Sequence, residues 1–384
     1  MRVAHIITRL ILGGAQENTV LTCEDLIHIH GDDVLLITGP PLGPEGSLLE
    51  RARAGGVPVK IIPSLRRAIH PIRDCQAYLA LRRAIREFGP DVVHTHSAKA
   101  GLLGRYAAWN LGTQSIVHTI HGAPFHPYQS TIAREFFRRC ERAATRKCHS
   151  IISVADAMTS LMVRANVVTE DKCTTVLSGM GVEPFLTANE HRESMRKQLG
   201  YAQQQCVIGM IARLFYLKGH ADLVAAAKRV VREAPQVRFL LVGDGKLRSD
   251  IECKIRKAGL RDYFQFTGLV PQEDIPTLIG AMDIVVHTSL REGLARVLPQ
   301  ALIAGKPVVS YDIDGAREVV ITGETGFLVP PRGLEQLSTS ILSLVTNPQE
   351  RTRLGEQGRS RFTEAFRHEN MTKQIRSIYA SLLR

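Results

Sequence analysis

The chain has 384 residues, 44% of them hydrophobic and 22% charged. That composition suits about two or three folded domains and excludes wholesale disorder. Its net charge of +12 raises the question of nucleic acid, but only 5% of residues are aromatic and no zinc-finger, RNA-binding or homeodomain signature is present, so no nucleic-acid partner is expected.

The opening residues are apolar but interrupted by His5, Thr8 and Arg9, which reads as a buried first strand rather than a signal peptide. Apolar runs at 3–8, 34–38, 57–62, 92–95, 115–120 and 150–154 predict a first series of strands. A second series falls at 207–212, 237–242, 264–266, 284–288, 307–310 and 326–329. Helical patterns, such as 73–88, 222–233 and 334–345, lie between them. Runs that are apolar throughout suit parallel strands covered on both faces, and alternation with helices predicts a doubly wound sheet. Here the alternation runs through two complete sets. The α/β reading is therefore two Rossmann-like domains, 1–185 and 186–369, facing across a central cleft. The stretch 178–199, with Gly179, Gly181 and Pro184, reads as the linker, and a helix at 370–384 is expected to pack back on the first domain. No apolar run approaches the roughly 18 residues that a membrane span needs. The seven scattered cysteines form no C-x-x-C pair, so a reduced, cytoplasmic protein is expected.

Doubly wound sheets bind ligands at the carboxyl ends of their strands. After the first strand comes Gly13-Gly14, where a helix start could offer amides to an anion or simply form a tight turn. The pattern is not G-x-G-x-x-G, which disfavours NAD. In the second set, Arg213 stands at a strand's carboxyl end and Lys218 near the next helix start. Two cations there suit a diphosphate, or are surface charge. Glu292 follows the strand at 284–288, and Ala295, Arg296 and Val297 lead into a helix carrying Gln300 about two turns on from Glu292.

Taken together, Gly13-Gly14, His121-Gly122, Arg213 with Lys218-Gly219, Leu241-Val242-Gly243-Asp244-Gly245, Phe266-Thr267-Gly268-Leu269-Val270, the Glu292 block and Gly323-Glu324-Thr325-Gly326 resemble the family 4 retaining glycosyltransferases of GT-B fold. The resemblance covers essentially the whole chain. It implies a nucleotide-diphospho-sugar, UDP or GDP form, as co-substrate, with no other cofactor and no metal. Gly13 and Gly14 would meet the donor diphosphate, and Arg213 and Lys218 would neutralise it. Val270 would lie beside the base. Glu292 would hold the donor sugar with Ala295, Arg296 and Val297 nearby, and His121 would line the sugar pocket. Gln300 would face the ribose, although the family's pattern has a second Glu there, and Ala295 replaces the usual Gly or Pro.

Asp312-Ile313-Asp314 resembles a metal-holding D-x-D, but its place after a strand and before Gly315 reads as a polar loop. His94 and His96, with His118, His121 and His126, lack a carboxylate or cysteine to complete a metal site and read as strand-end histidines in a polar cleft. Arg134, Arg138, Arg139, Arg142, Arg146 and Lys147 fall on one helical stretch and could rest on an anionic membrane surface, the inner face of a plasma membrane. The expected activity is transfer of a hexosyl or N-acetylhexosaminyl unit to a lipid-linked or cell-envelope glycan. A nucleotide-sugar epimerase of the same fold, or an idle donor-binding protein, remains open.

Overall fold

The computed structural model describes residues 1–42 and 46–384. They form two compact units: Met1–Met180 with Phe366–Arg384, and Gly181–Ala365.

In the first unit the strands are β1 (Arg2–Ile7), β2 (Asp33–Thr38), β3 (Val59–Ile61), β4 (Val92–His96), β5 (Ser115–Ile120), β6 (Ser150–Ser153) and β7 (Cys173–Thr175). They make one parallel sheet in the order β3-β2-β1-β4-β5-β6-β7. β4 and β5 are buried along their whole length, so neither alternates, as expected for strands covered on both faces. β7 is a three-residue edge strand, too short to carry a periodic signal.

The second unit repeats the plan. Its strands β8 (Cys206–Ile211), β9 (Val237–Val242), β10 (Phe264–Gly268), β11 (Ile284–His287), β12 (Val308–Tyr311) and β13 (Gly326–Val329) form a parallel sheet in the order β10-β9-β8-β11-β12-β13. In each sheet the strand order reverses beside the first strand, between β1 and β4 and between β8 and β11. These switch points are where doubly wound sheets take ligands.

The chain passes between units at 180/181 and 365/366, not at 185/186 and 369/370. Phe185 is buried, and its short helix Glu183–Leu186 packs on Ile275–Ala281 and Val297–Ile303 of the second unit. On the return, Phe366 is fully buried and its carbonyl accepts from the Met180 amide at 2.8 Å. Much of the stretch read as linker is also folded. Arg192–Leu199 is a helix, and Arg192 and Arg196 clasp the two oxygens of Asp283 at 2.6 and 2.8 Å.

The helix His368–Leu382 belongs to the first unit, where Met371, Ile375 and Tyr379 complete the core around Val3, Val20 and Val117. Burying side chains of this size contributes about 1.5–3 kcal/mol each. A hydrogen bond between His368 Nδ1 and Asp25 at 2.8 Å and the ion pair of Arg376 with Asp32 at 2.8 Å fix the helix's register. Among the described residues, no helix is long and apolar enough to cross a membrane.

Candidate functional site

Most of the second unit's candidate residues meet at its switch point. β8 runs out into Ala212 and an exposed Arg213. The turn Tyr216–Lys218 then leads to Gly219, in the left-handed region at φ 73°. A Cβ at Gly219 would lie 1.9 Å from the Thr288 carbonyl oxygen, so only glycine lets this turn press against the end of β11. The Thr288 hydroxyl donates to the Gly219 carbonyl at 3.0 Å, and the Leu290 amide donates to the Leu217 carbonyl at 2.8 Å. The loop after β11 is thereby fastened to the loop after β8, and Lys218 pairs with Glu292.

Glu292 is held from three sides. Lys218 Nζ bonds its Oε1, His287 Nε2 stands 3.6 Å from the same oxygen, and the Glu292 amide donates to Asp314 Oδ2 at 2.6 Å. Burial pushes its carboxyl pKa up, but the neighbouring His287 ring and the Lys218 charge outweigh this and hold it at about 2. Asp314 keeps a backbone φ of 43°, in a region non-glycine residues seldom enter, while it caps that amide. Asp312, two residues before, instead pairs with Arg317 at 2.9 Å.

Lys218, Glu292, Ala295, Arg296, Val297 and Gln300 all line one pocket of about 220 Å³, closed further by Ile211, Ala212 and His287. Gln300 lies on the helix Val297–Ile303, on the face that reaches the pocket. Arg213 and Val270 are not among its walls. Val270 follows β10, the edge strand, and is half-buried.

In the first unit, β1 ends at Ile7, earlier than a strand running up to the glycines, and the helix Gly14–His28 begins after a loop. Gly13 has extended backbone (φ 171°), so its conformation does not demand glycine. What Gly13 and Gly14 provide is a helix start without side chains. Ser97 follows β4 at φ 62° and ψ 162°, an arrangement rare outside glycine, and shares a hydrogen bond of 2.7 Å with the Thr8 hydroxyl just past β1. His121 follows β5 and is half-buried. His94 and His96 are fully buried in β4 and His118 is nearly so in β5, which corrects their placement in a polar cleft. Burial, with neighbouring charge, drives the pKa values of all three well below the ordinary histidine range.

His287 beside Glu292, the Ser97 backbone and the Asp314 contact to the Glu292 amide are not anticipated by the sequence analysis. His287 had a usable signal, a polar ring at a strand's carboxyl end five positions before Glu292. Ser97 and Asp314 stand out through backbone geometry, which their residue types do not announce.

A family model described as "Glycosyl transferases group 1" matches residues 191–361, and one described as "Glycosyl transferase 4-like domain" matches 14–179. The chain is 25% identical over 386 residues to the UDP-Gal:alpha-D-GlcNAc-diphosphoundecaprenol alpha-1,3-galactosyltransferase of Escherichia coli, covering 100% of this chain and 97% of that protein. It is 26% identical over 368 residues to the 2-deoxystreptamine N-acetyl-D-glucosaminyltransferase of Streptomyces fradiae, covering 88% and 84% respectively. Among solved structures, Anabaena HepE in complex with UDP-glucose matches with a TM-score of 0.84 at 22% identity, over 99% of this chain and 100% of that one.

Proposed function

Because this chain belongs to the group 1 glycosyltransferases of family 4 and has their GT-B fold, we propose that it moves a hexosyl or N-acetylhexosaminyl unit from a UDP-sugar to a lipid-linked glycan, with retention at the anomeric carbon. The observation that carries the reading is the Lys218–Glu292 pair on a pocket at the second sheet's switch point. UDP is favoured over GDP because the Escherichia coli relative is named for UDP-Gal and HepE was solved with UDP-glucose. The lipid-linked acceptor follows the same relative's name.

As the bond from the anomeric carbon to the diphosphate breaks, negative charge gathers on the departing UDP. Lys218 and Arg213 bind that charge and lower the barrier. Gly13 and Gly14 offer helix-start amides to the diphosphate, Val270 meets the base, Gln300 holds the ribose, and Glu292 and His121 hold the sugar. The acceptor hydroxyl attacks from the face that UDP leaves, and a departing phosphate oxygen takes its proton. With two cations in this role, turnover persists in excess EDTA. The experiment pairs a panel of UDP- and GDP-sugars with undecaprenyl-diphosphate-linked acceptors, measuring nucleotide release and the product's anomeric configuration. Acceptor-dependent UDP release with retention is expected. A donor isomer formed without acceptor would make the chain an epimerase, and loss of turnover in EDTA restored by magnesium would overturn the metal-free mechanism.

We also propose that the first unit docks on anionic lipid through the helix Thr131–Thr145. The helix carries Arg134, Arg138, Arg139 and Arg142, with Arg146 as its cap and Lys147 beyond, stacked 4.8 Å over the Trp109 ring. Its charge is partly spent at home, since Glu135 pairs with Arg138 and Arg139 at 2.7 Å each. Its apolar side chains add a second attraction: Ile132 is 85% exposed and Phe136 55%. Binding to anionic vesicles should therefore fall as salt screens charge over about 10 Å at 0.1 M, yet retain an apolar part. Ile132→Asp with Phe136→Ser should weaken the remaining high-salt binding about tenfold. Equal binding to neutral and anionic vesicles would remove the electrostatic component.

A further inference from the structure

Three histidines of the first unit stand in line. His5 on β1 and His96 on β4 are fully buried, and His121 follows β5 at the strands' carboxyl ends. His5 Nδ1 lies 3.0 Å from His96 Nε2, and His96 Nδ1 lies 3.1 Å from His121 Nε2. The rings stack nearly parallel, at 14° and 27°. We propose that His5 and His96 are positioning residues that hold the His121 imidazole in a single tautomer, with its proton on Nδ1.

Burial brings the His5 pKa down to about 3 and that of His96 well below its ordinary value, so each of these rings is neutral and carries one proton. With a single proton on His96, the two N–H···N bonds of this line can run in only two directions. In one, His121 donates inward to His96 and His96 to His5, which leaves the His5 proton on Nε2. In the other, His5 donates outward to His96 and His96 to His121. Among the described residues, His5 Nε2 is buried and finds no hydrogen-bond partner. The inward direction would strand an N–H there and the outward direction only a lone pair. Buried N–H groups without acceptors are the rarer defect, so the outward direction is favoured. The chain of bonds then fills His121 Nε2 and makes Nδ1 its donor.

His5, His94 and His96 lie close enough together to suggest a metal ion. All of their nitrogens except His5 Nε2 are otherwise engaged. His94 bonds the Tyr379 hydroxyl through Nδ1 and the Thr119 hydroxyl at 2.7 Å through Nε2, and both His96 nitrogens serve the relay.

The part His121 plays rests on the transferase reading: a fixed Nδ1–H donates to a donor-sugar hydroxyl and cannot act there as a base. The tautomer itself does not depend on that reading. The test is long-range proton–nitrogen NMR on the whole chain labelled with ¹⁵N-histidine, His121 being assigned by its loss in His121→Gln. The expected result is a protonated Nδ1 and an unprotonated Nε2 at His121, and a protonated Nε2 would overturn the relay. In His96→Leu, or in His5→Phe if the former does not fold, His121 should revert toward the Nε2–H tautomer that free imidazole side chains prefer. His96→Asn, whose amide N–H stands where Nδ1–H does, should restore Nδ1–H. Donor affinity should stay within about twofold while kcat falls about tenfold in His96→Leu. An unchanged tautomer in both His96→Leu and His5→Phe would overturn the proposal. A chain inactive with every donor but carrying the Nδ1–H form would defeat the transferase reading alone, and an active chain with Nε2–H the relay alone.

Discussion

Replacing Glu292 by Ala should lower kcat about a hundredfold or more, with a much smaller change in donor KM. Among the described residues lining the pocket, Glu292 is the one carboxylate, kept ionised against burial by His287 and Lys218. A carboxylate so fixed can grip sugar hydroxyls whose acidity rises as the anomeric carbon becomes electron-poor, which is stabilisation gained mainly in the transition state. Glu292→Gln, which keeps the shape and loses the charge, should fall between wild type and Glu292→Ala. The lowered pKa fixes the pH response. The stability that ionised Glu292 contributes is present in full above about pH 4.5 and is lost as pH falls toward 2. The variant should therefore differ from wild type at neutral pH and converge with it in stability near pH 2. Steady-state kinetics and denaturation from pH 2 to 8 check both parts. A kcat within twofold of wild type would remove Glu292 from the reacting sugar.

Lys218→Ala and Arg213→Ala should each reduce kcat/KM by about ten- to a hundredfold or more, since a charge-assisted bond to phosphate contributes roughly 1.5–3 kcal/mol. The two variants should nevertheless differ in character. Arg213 is exposed, whereas Lys218 also neutralises Glu292. Its loss leaves a half-buried carboxylate with His287 alone, so its pKa rises and the pocket gains an uncompensated negative charge close to where the diphosphate binds. Lys218→Ala combined with Glu292→Ala should thus cost clearly less than the sum of the single losses, while Arg213→Ala with Glu292→Ala should be nearly additive. UDP binding by calorimetry and kcat/KM for all five variants provide the cycles. Additivity in the Lys218 pair would mean that the ion pair has no bearing on donor binding.

The strands and their division into two sheets were legible because buried parallel strands leave unbroken apolar runs, as at 92–95 and 115–120. Arg192–Leu199 was not, because its value lies in ion pairs to Asp283, some ninety residues away, and a charged octapeptide after a glycine-rich stretch reads as linker. At the site, Lys218 and Glu292 could be picked from their places after strands. That they bond each other depends on the Gly219 turn meeting Thr288, a contact of shape rather than residue type. The histidine line escaped for a related reason. His5, His96 and His121 are far apart in sequence, and only the β1–β4–β5 neighbourhood brings their rings into register.

The return of residues 366–384 to the first unit has a consequence for biosynthesis. On the ribosome, residues 1–180 emerge first but lack Met371, Ile375 and Tyr379, three members of their own core. Residues 181–365 are contiguous and can close their sheet as soon as they clear the exit tunnel. The unit made first is therefore finished last, and in the interval it exposes the apolar strip that His368–Leu382 later covers. A chain truncated near residue 365 would carry one complete half and one half with part of its core missing.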